Sequence, residues 1–289
     1  MPDLIKSLES KHDEEERDEK GSGKAMANIL KSEFYKLKQS KAFYICIAAC
    51  AALALFIAFE IQHETAQAVL HPQDPELTSF LAMRPHLGGA WFIGQSFSQG
   101  MLSLICAVFV SIFVAVEFNF GTMKNIVSKG FNRIQIYIAK FIASSAAALI
   151  MLVVFMVVGG IAGTVLWGFN PNGAANVGNL IPLFFTQALL IIAFTAVFVL
   201  VAMSLRSNGA SIAVNISAVV LFDILLQAAN FLIGNSVTLS NYWIAGNISK
   251  LATLSPTVSD VTRGIIVAVV YTIAAIWAGS TLFKKQDIK

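Results

Sequence analysis

Asp223, Gln227 and Asn230 recur at helical-turn spacing inside the apolar run 210–234, with Gly234 on the same face and Asn215 at its edge. An ionisable side chain in a membrane span costs about 2.5–3.5 kcal/mol on insertion scales, so it faces protein or water and marks function. Two roles fit this face: the wall of a translocation path, or a seam between two copies of the chain. The plainer alternative is an interhelical hydrogen bond, which averages only about 0.6 kcal/mol. A second stripe lies in the run 96–118, where Ser96, Gln99, Gly100, Ser103, Ala107 and Ser111 follow i, +3, +4, +7, +11 and +15. Small side chains let helices approach closely, so this stripe is expected either to pack inside the chain or to form a dimer seam or pathway wall.

Other chemistries find no purchase. The one Gly-Lys pair, Gly23-Lys24, is followed by Ala25, and Asp18 stands where a phosphate-binding loop needs its first glycine. The chain is therefore not expected to hydrolyse ATP, and no catalytic residue is assigned. No HExxH is present, and Gly94-Gln95-Ser96-Phe97-Ser98 lacks the final glycine of a nucleophile elbow. His63, His71 and His86 match no ligand spacing, so no metal site is expected. Cys46, Cys50 and Cys106 all lie in apolar runs and read as packing residues rather than disulfide partners.

The elements that position these stripes follow from composition. Of 289 residues, 56% are apolar and 13% charged, half the charged share of a soluble domain. Six runs reach the roughly 20 residues needed to cross 30 Å of hydrocarbon: about 42–61, 96–118, 141–168, 179–204, 210–234 and 261–283. An all-α membrane protein of six transmembrane helices is expected. Basic residues decide its orientation. The N-terminal flank, the 119–140 loop, the 205–209 turn and the C-terminus hold twelve lysines and arginines, whereas the opposite side holds Arg84, Lys250 and Arg263. Both termini are thus expected in the cytoplasm.

Before the first run, 27–41 reads as an amphipathic helix lying in the interface, with Ala27, Leu30, Phe34 and Leu37 on its apolar face and lysines around it. Residues 1–25 carry five basic and eight acidic residues and read as a disordered leader, foreign to a natural start at Met26. They form no signal peptide, since they are acidic and lack an apolar centre. The outer segment 62–95 reads as solvated loop broken by prolines, and 235–260 as an aromatic anchor or a dip back into the membrane. Gly159-Gly160-Ile161-Ala162-Gly163 matches GxxxG and points to packing within the chain.

The most structured loop runs from Glu117 to Arg133. Gly121 and Gly130 bracket Met123, Ile126 and Val127 at helical spacing, with Lys124 on the other side. A basic amphipathic helix of about two turns, roughly 12 Å long, suits either the membrane surface or a groove on a partner. Glu-Phe-x-x-Gly-Thr-x-Lys-Asn, followed by glycine and arginine, resembles the first cytoplasmic loop of ABC-2 type transporter permeases. The resemblance extends over residues 26–289 through the span number and the helix before the first span, which is similar to that family's elbow helix.

Several expectations follow from this resemblance. Glu117, Gly121, Met123, Lys124, Ile126, Val127, Gly130 and Arg133 would form a coupling helix and its frame, receiving the motion of a separate ATPase. Ser96, Gln99, Ser103, Asn215, Asp223, Gln227 and Asn230 would line the path or the seam between two permease copies, since spans two and five face each other across such dimers. The partners implied are two ABC ATPase subunits, a second or homologous permease and the lipid bilayer, with no nucleic acid. This chain would hold no cofactor itself, ATP and Mg being bound by the ATPases. Similar permeases of bacterial plasma membranes export amphipathic peptides such as lantibiotics. A different class, an ion- or proton-coupled secondary transporter using Asp223, lacks the inverted repeat and broken helices expected of it.

Overall fold

The computed structural model describes residues 23–74, 77–83, 86–95, 100–128, 131–170, 177–233, 238–251 and 257–286. Most of the leader, and the expectations placed on Ser96, Gln99, Gly130 and Gly234, lie outside them. Residues 23–25 are helical, continuous with helix α1 (residues 23–39).

Ser40 interrupts the helix and caps the next one, its side chain accepting from the Phe43 amide at 3.3 Å. The chain then runs through α2 (Lys41–Leu70), α3 (Thr78–Met83), α4 (Gly89–Gln95), α5 (Gly100–Asn119), α6 (Thr122–Ser128), α7 (Arg133–Trp167), α8 (Leu180–Leu205), α9 (Asn208–Leu232), α10 (Ile244–Leu251) and α11 (Val258–Lys285). Two short 3₁₀ turns, Val177–Asn179 and Leu239–Tyr242, precede α8 and α10. No strand occurs among the described residues. Six helices there are long and apolar enough to cross a membrane: α2, α5, α7, α8, α9 and α11. They correspond to the six apolar runs, with α2 running on to Leu70 and α7 starting as early as Arg133.

Helix α8 occupies the middle of the bundle, packing on α5, α7, α9 and α11. Stacked Phe194 and Phe198 on α8 are buried there, and α2 lies outside against α7. Burial is uneven. In its most apolar stretch α5 is 61% buried, but α9 only 17%, so α9 sits at the edge with one broad face uncovered.

Two expectations about the flanks are corrected. The outer segment 62–95 is not all solvated loop: Leu87, Ala90, Trp91 and Phe92 are buried, and α4 packs on α7. The glycines of α7 make this possible, because a Cβ on Gly163 would lie 2.5 Å from the Phe92 ring and one on Gly160 would lie 2.8 Å from Ile93. In α1 the inward face carries Ile29, Glu33 and Leu37, while Phe34 is exposed and Ala27 with it. A glutamate has displaced the apolar register, and its partners explain why.

Candidate functional site

At the end of the bundle where α1, the C-terminus of α5 and the N-terminus of α7 meet, four charges form a closed ring. Lys36 Nζ lies 2.7 Å from Glu33 Oε1 and 2.6 Å from Glu117 Oε1. Lys140 Nζ lies 3.1 Å from Glu33 Oε2 and 2.9 Å from Glu117 Oε2, the latter a charge contact without good hydrogen-bond alignment. Each carboxylate thus spends one oxygen on each lysine, and the ring is neutral. Lys140 is 0% exposed and Glu33 1%, so neither can turn to water. Lys140 also lies 5.7 Å from the centre of the Phe113 ring. Lys36 reaches solvent in part. Burial pulls its pKa down, but the carboxylates of Glu33 and Glu117 outweigh this and hold it above its ordinary value.

The ring joins three helices that sequence alone leaves independent. Lys36 and Lys140 read in the sequence as charges that set orientation, a pattern any flanking lysine satisfies. Neither lysine stands out by spacing. The one usable signal is Glu33 itself, a carboxylate at helical spacing among apolar residues.

Immediately after Glu117 comes the α6 segment. Gly121 adopts φ +66°, the left-handed conformation that glycine takes without strain, and this turns the chain from α5 into α6. Thr122 Oγ1 donates to the Glu117 carbonyl at 3.3 Å. The apolar face of α6 points into the bundle: Met123 is 1% exposed, and Ile126 and Val127 pack against the same core. The outward face carries Lys124, Asn125 and Ser128. Arg133, grouped with α6 by sequence, turns instead to the end of α11, where its guanidinium donates to the carbonyls of Phe283, Lys284 and Gln286. These are the orphan acceptors of a helix C-terminus, where a cation is favoured. Arg206 joins the same end, donating from Nε to Gln286 Oε1 at 3.2 Å.

The two polar stripes meet within one chain, since α5 packs on α9. Asn215 is fully buried and donates to Ser111 Oγ at 2.8 Å and to the Phe198 carbonyl at 3.3 Å. Asn230 is also buried, its Oδ1 accepting from the Leu239 amide at 2.7 Å, which anchors the turn leading to α10. Asp223 is half-buried and Gln227 is exposed. Gln227 Nε2 donates to Asp223 Oδ2 at 2.9 Å. Asp223, Ser103 and Ser249 border a cavity of about 360 Å³ between α5, α9 and α10. Of the predicted path residues described, Asn215 and Asn230 tie α9 to its neighbours, Ser103 and Asp223 border one cavity, and Gln227 is exposed.

Six long apolar helices, with α1 tied into them and the short α6 between the second and third, define a multi-pass membrane protein. A family model for the ABC-2 family transporter protein matches residues 29–224, more than half the chain, and the chain belongs to that family. Its members are permeases of ABC transporters, which associate with an ABC ATPase at the membrane. A search of curated proteins found no match.

Proposed function

We propose that this chain is the permease subunit of an ATP-driven ABC exporter, in which two permease copies form the path and two separately encoded ATPases dock beneath α6. ATP and Mg belong to those partners. The observation that carries this reading is the Asp223–Gln227 pair on the least covered span. Asp223 is the sixteenth of the 25 residues of α9, well inside the hydrocarbon. A carboxylate at that depth is costly, and a second copy or a water-filled path reaching the cavity that Asp223 borders removes the cost. The basic residues support an orientation with both termini in the cytoplasm of a bacterial cell. The outward face of α6, with Lys124 and Asn125, is the surface offered to the ATPase. An amphipathic peptide of the lantibiotic kind is the substrate class suggested by analogy with similar small permeases.

Affinity purification from native membranes tests this. An ATPase subunit recovered in equal amount, together with ATP-dependent efflux from proteoliposomes, is the expected result. Recovery without an ATPase, combined with flux driven by a proton gradient, would replace the proposal with an Asp223-based coupled transporter.

A further inference from the structure

Between α1, the start of α2, the end of α5 and α6 lies a cavity of about 800 Å³. Its polar wall is formed by Ser32, Lys36, Lys41 and Asn125, and its apolar wall by Ile112, Val116 and Phe120. Glu117 borders it too, but both oxygens of that carboxylate already face Lys36 and Lys140. Because the ring is neutral, Lys41 leaves the cavity with a net positive charge. Two of the three ammonium protons of Lys36 serve Glu33 and Glu117, and the third is left for a ligand. Elsewhere on α1 and α6, Lys31, Lys38 and Lys124 are exposed. Among the described residues at this end of the bundle, the acidic groups are Glu33 and Glu117, both consumed by the ring.

We propose that this cavity binds an anionic phospholipid of the adjoining leaflet, with the phosphate at Lys41 and Lys36 and one acyl chain along Ile112, Val116 and Phe120. Three observations select a lipid. The wall changes from polar to apolar within one cavity, as an amphiphile does. The site is lined by α1, whose basic amphipathic pattern suits the headgroup region. The net charge of the cavity lining and ring is positive, which suits the charge of anionic headgroups. Asn125 and Ile126 of α6 form part of the wall, so the lipid would contact the segment that the proposed ATPase engages.

The test is the lipid retained by the intact chain when released from nanodiscs of phosphatidylcholine containing phosphatidylglycerol, read by native mass spectrometry. One cation near a headgroup corresponds to about fivefold enrichment, so phosphatidylglycerol should be retained at least about fivefold above its bulk share. Lys41→Gln should abolish the enrichment and Lys41→Arg should keep it. Ala42→Trp, which fills the cavity from its wall without changing charge, should displace the lipid. Lys31→Gln, on the exposed side of α1 away from the cavity, should change nothing. Unfolding temperatures of all four variants establish that each is folded. Absence of enrichment on the native chain, equal losses from Lys31→Gln and Lys41→Gln, or displacement by millimolar inorganic phosphate would each overturn the proposal.

Discussion

Lys140→Met isolates the contribution of the buried ring. Methionine keeps the length and most of the bulk of lysine, so packing against Phe113 is largely preserved. What is lost is two contacts near 3 Å, each about 5 kcal/mol of attraction at an effective dielectric near 20. In the intact ring the desolvation of four ions offsets most of this attraction. The variant removes one cation and leaves the buried Glu33 and Glu117 sharing Lys36, with one negative charge uncompensated. Breaking one side of a buried ion pair costs about 3–5 kcal/mol, which for a chain of this size lowers the unfolding midpoint by roughly 6–20 °C. The double variant Glu117→Gln/Lys140→Met restores neutrality around the surviving Glu33–Lys36 pair. It should recover at least about 1 kcal/mol relative to the sum of the single losses, as coupled sites do. The assay is thermal unfolding of purified protein in one detergent for the native chain, both single variants and the double variant. A midpoint within 2 °C of native for Lys140→Met, or strict additivity in the cycle, would refute the reasoning.

Three further outcomes are expected. Met123→Asp places a carboxylate in the permease core and should lower its own stability by about 2–5 kcal/mol, whereas Lys124→Glu should leave the unfolding midpoint unchanged and weaken ATPase co-purification; the reverse pattern would mean that α6 presents its apolar face outward. Asp223→Asn should preserve folding and ATPase association but alter transport, while Asp223→Leu should block it; full transport by Asp223→Leu would remove this residue from the path. The three native cysteines are buried, so Lys124→Cys should react with an impermeant maleimide only after the membrane is opened and Asp74→Cys in intact cells; labelling of Lys124→Cys from outside would invert the orientation.

Some features were legible in the chain alone because their physics is local or one-dimensional. Crossing the bilayer needs about 20 apolar residues, so the six runs matched the six long helices to within a few residues at most ends. Gly121 marked a turn that needs a positive φ, and the α7 glycines marked a close helix approach. Other features depended on which helices become neighbours. A lysine that sets orientation and a lysine buried in an ion pair look alike in sequence, so Lys36 and Lys140 were indistinguishable from Lys38 and Lys41 until α1, α5 and α7 came together. The same held for Met123, whose amphipathic spacing fixed a face but not its direction, and for Asn215 and Asp223, which share a span yet are fully buried in one case and half-buried beside a cavity in the other. Spacing assigns a side chain to a face of its helix. Only tertiary packing decides whether that face meets a partner, the core or the membrane, because the cost of burying a charge is set by the counter-charges that other helices bring to it.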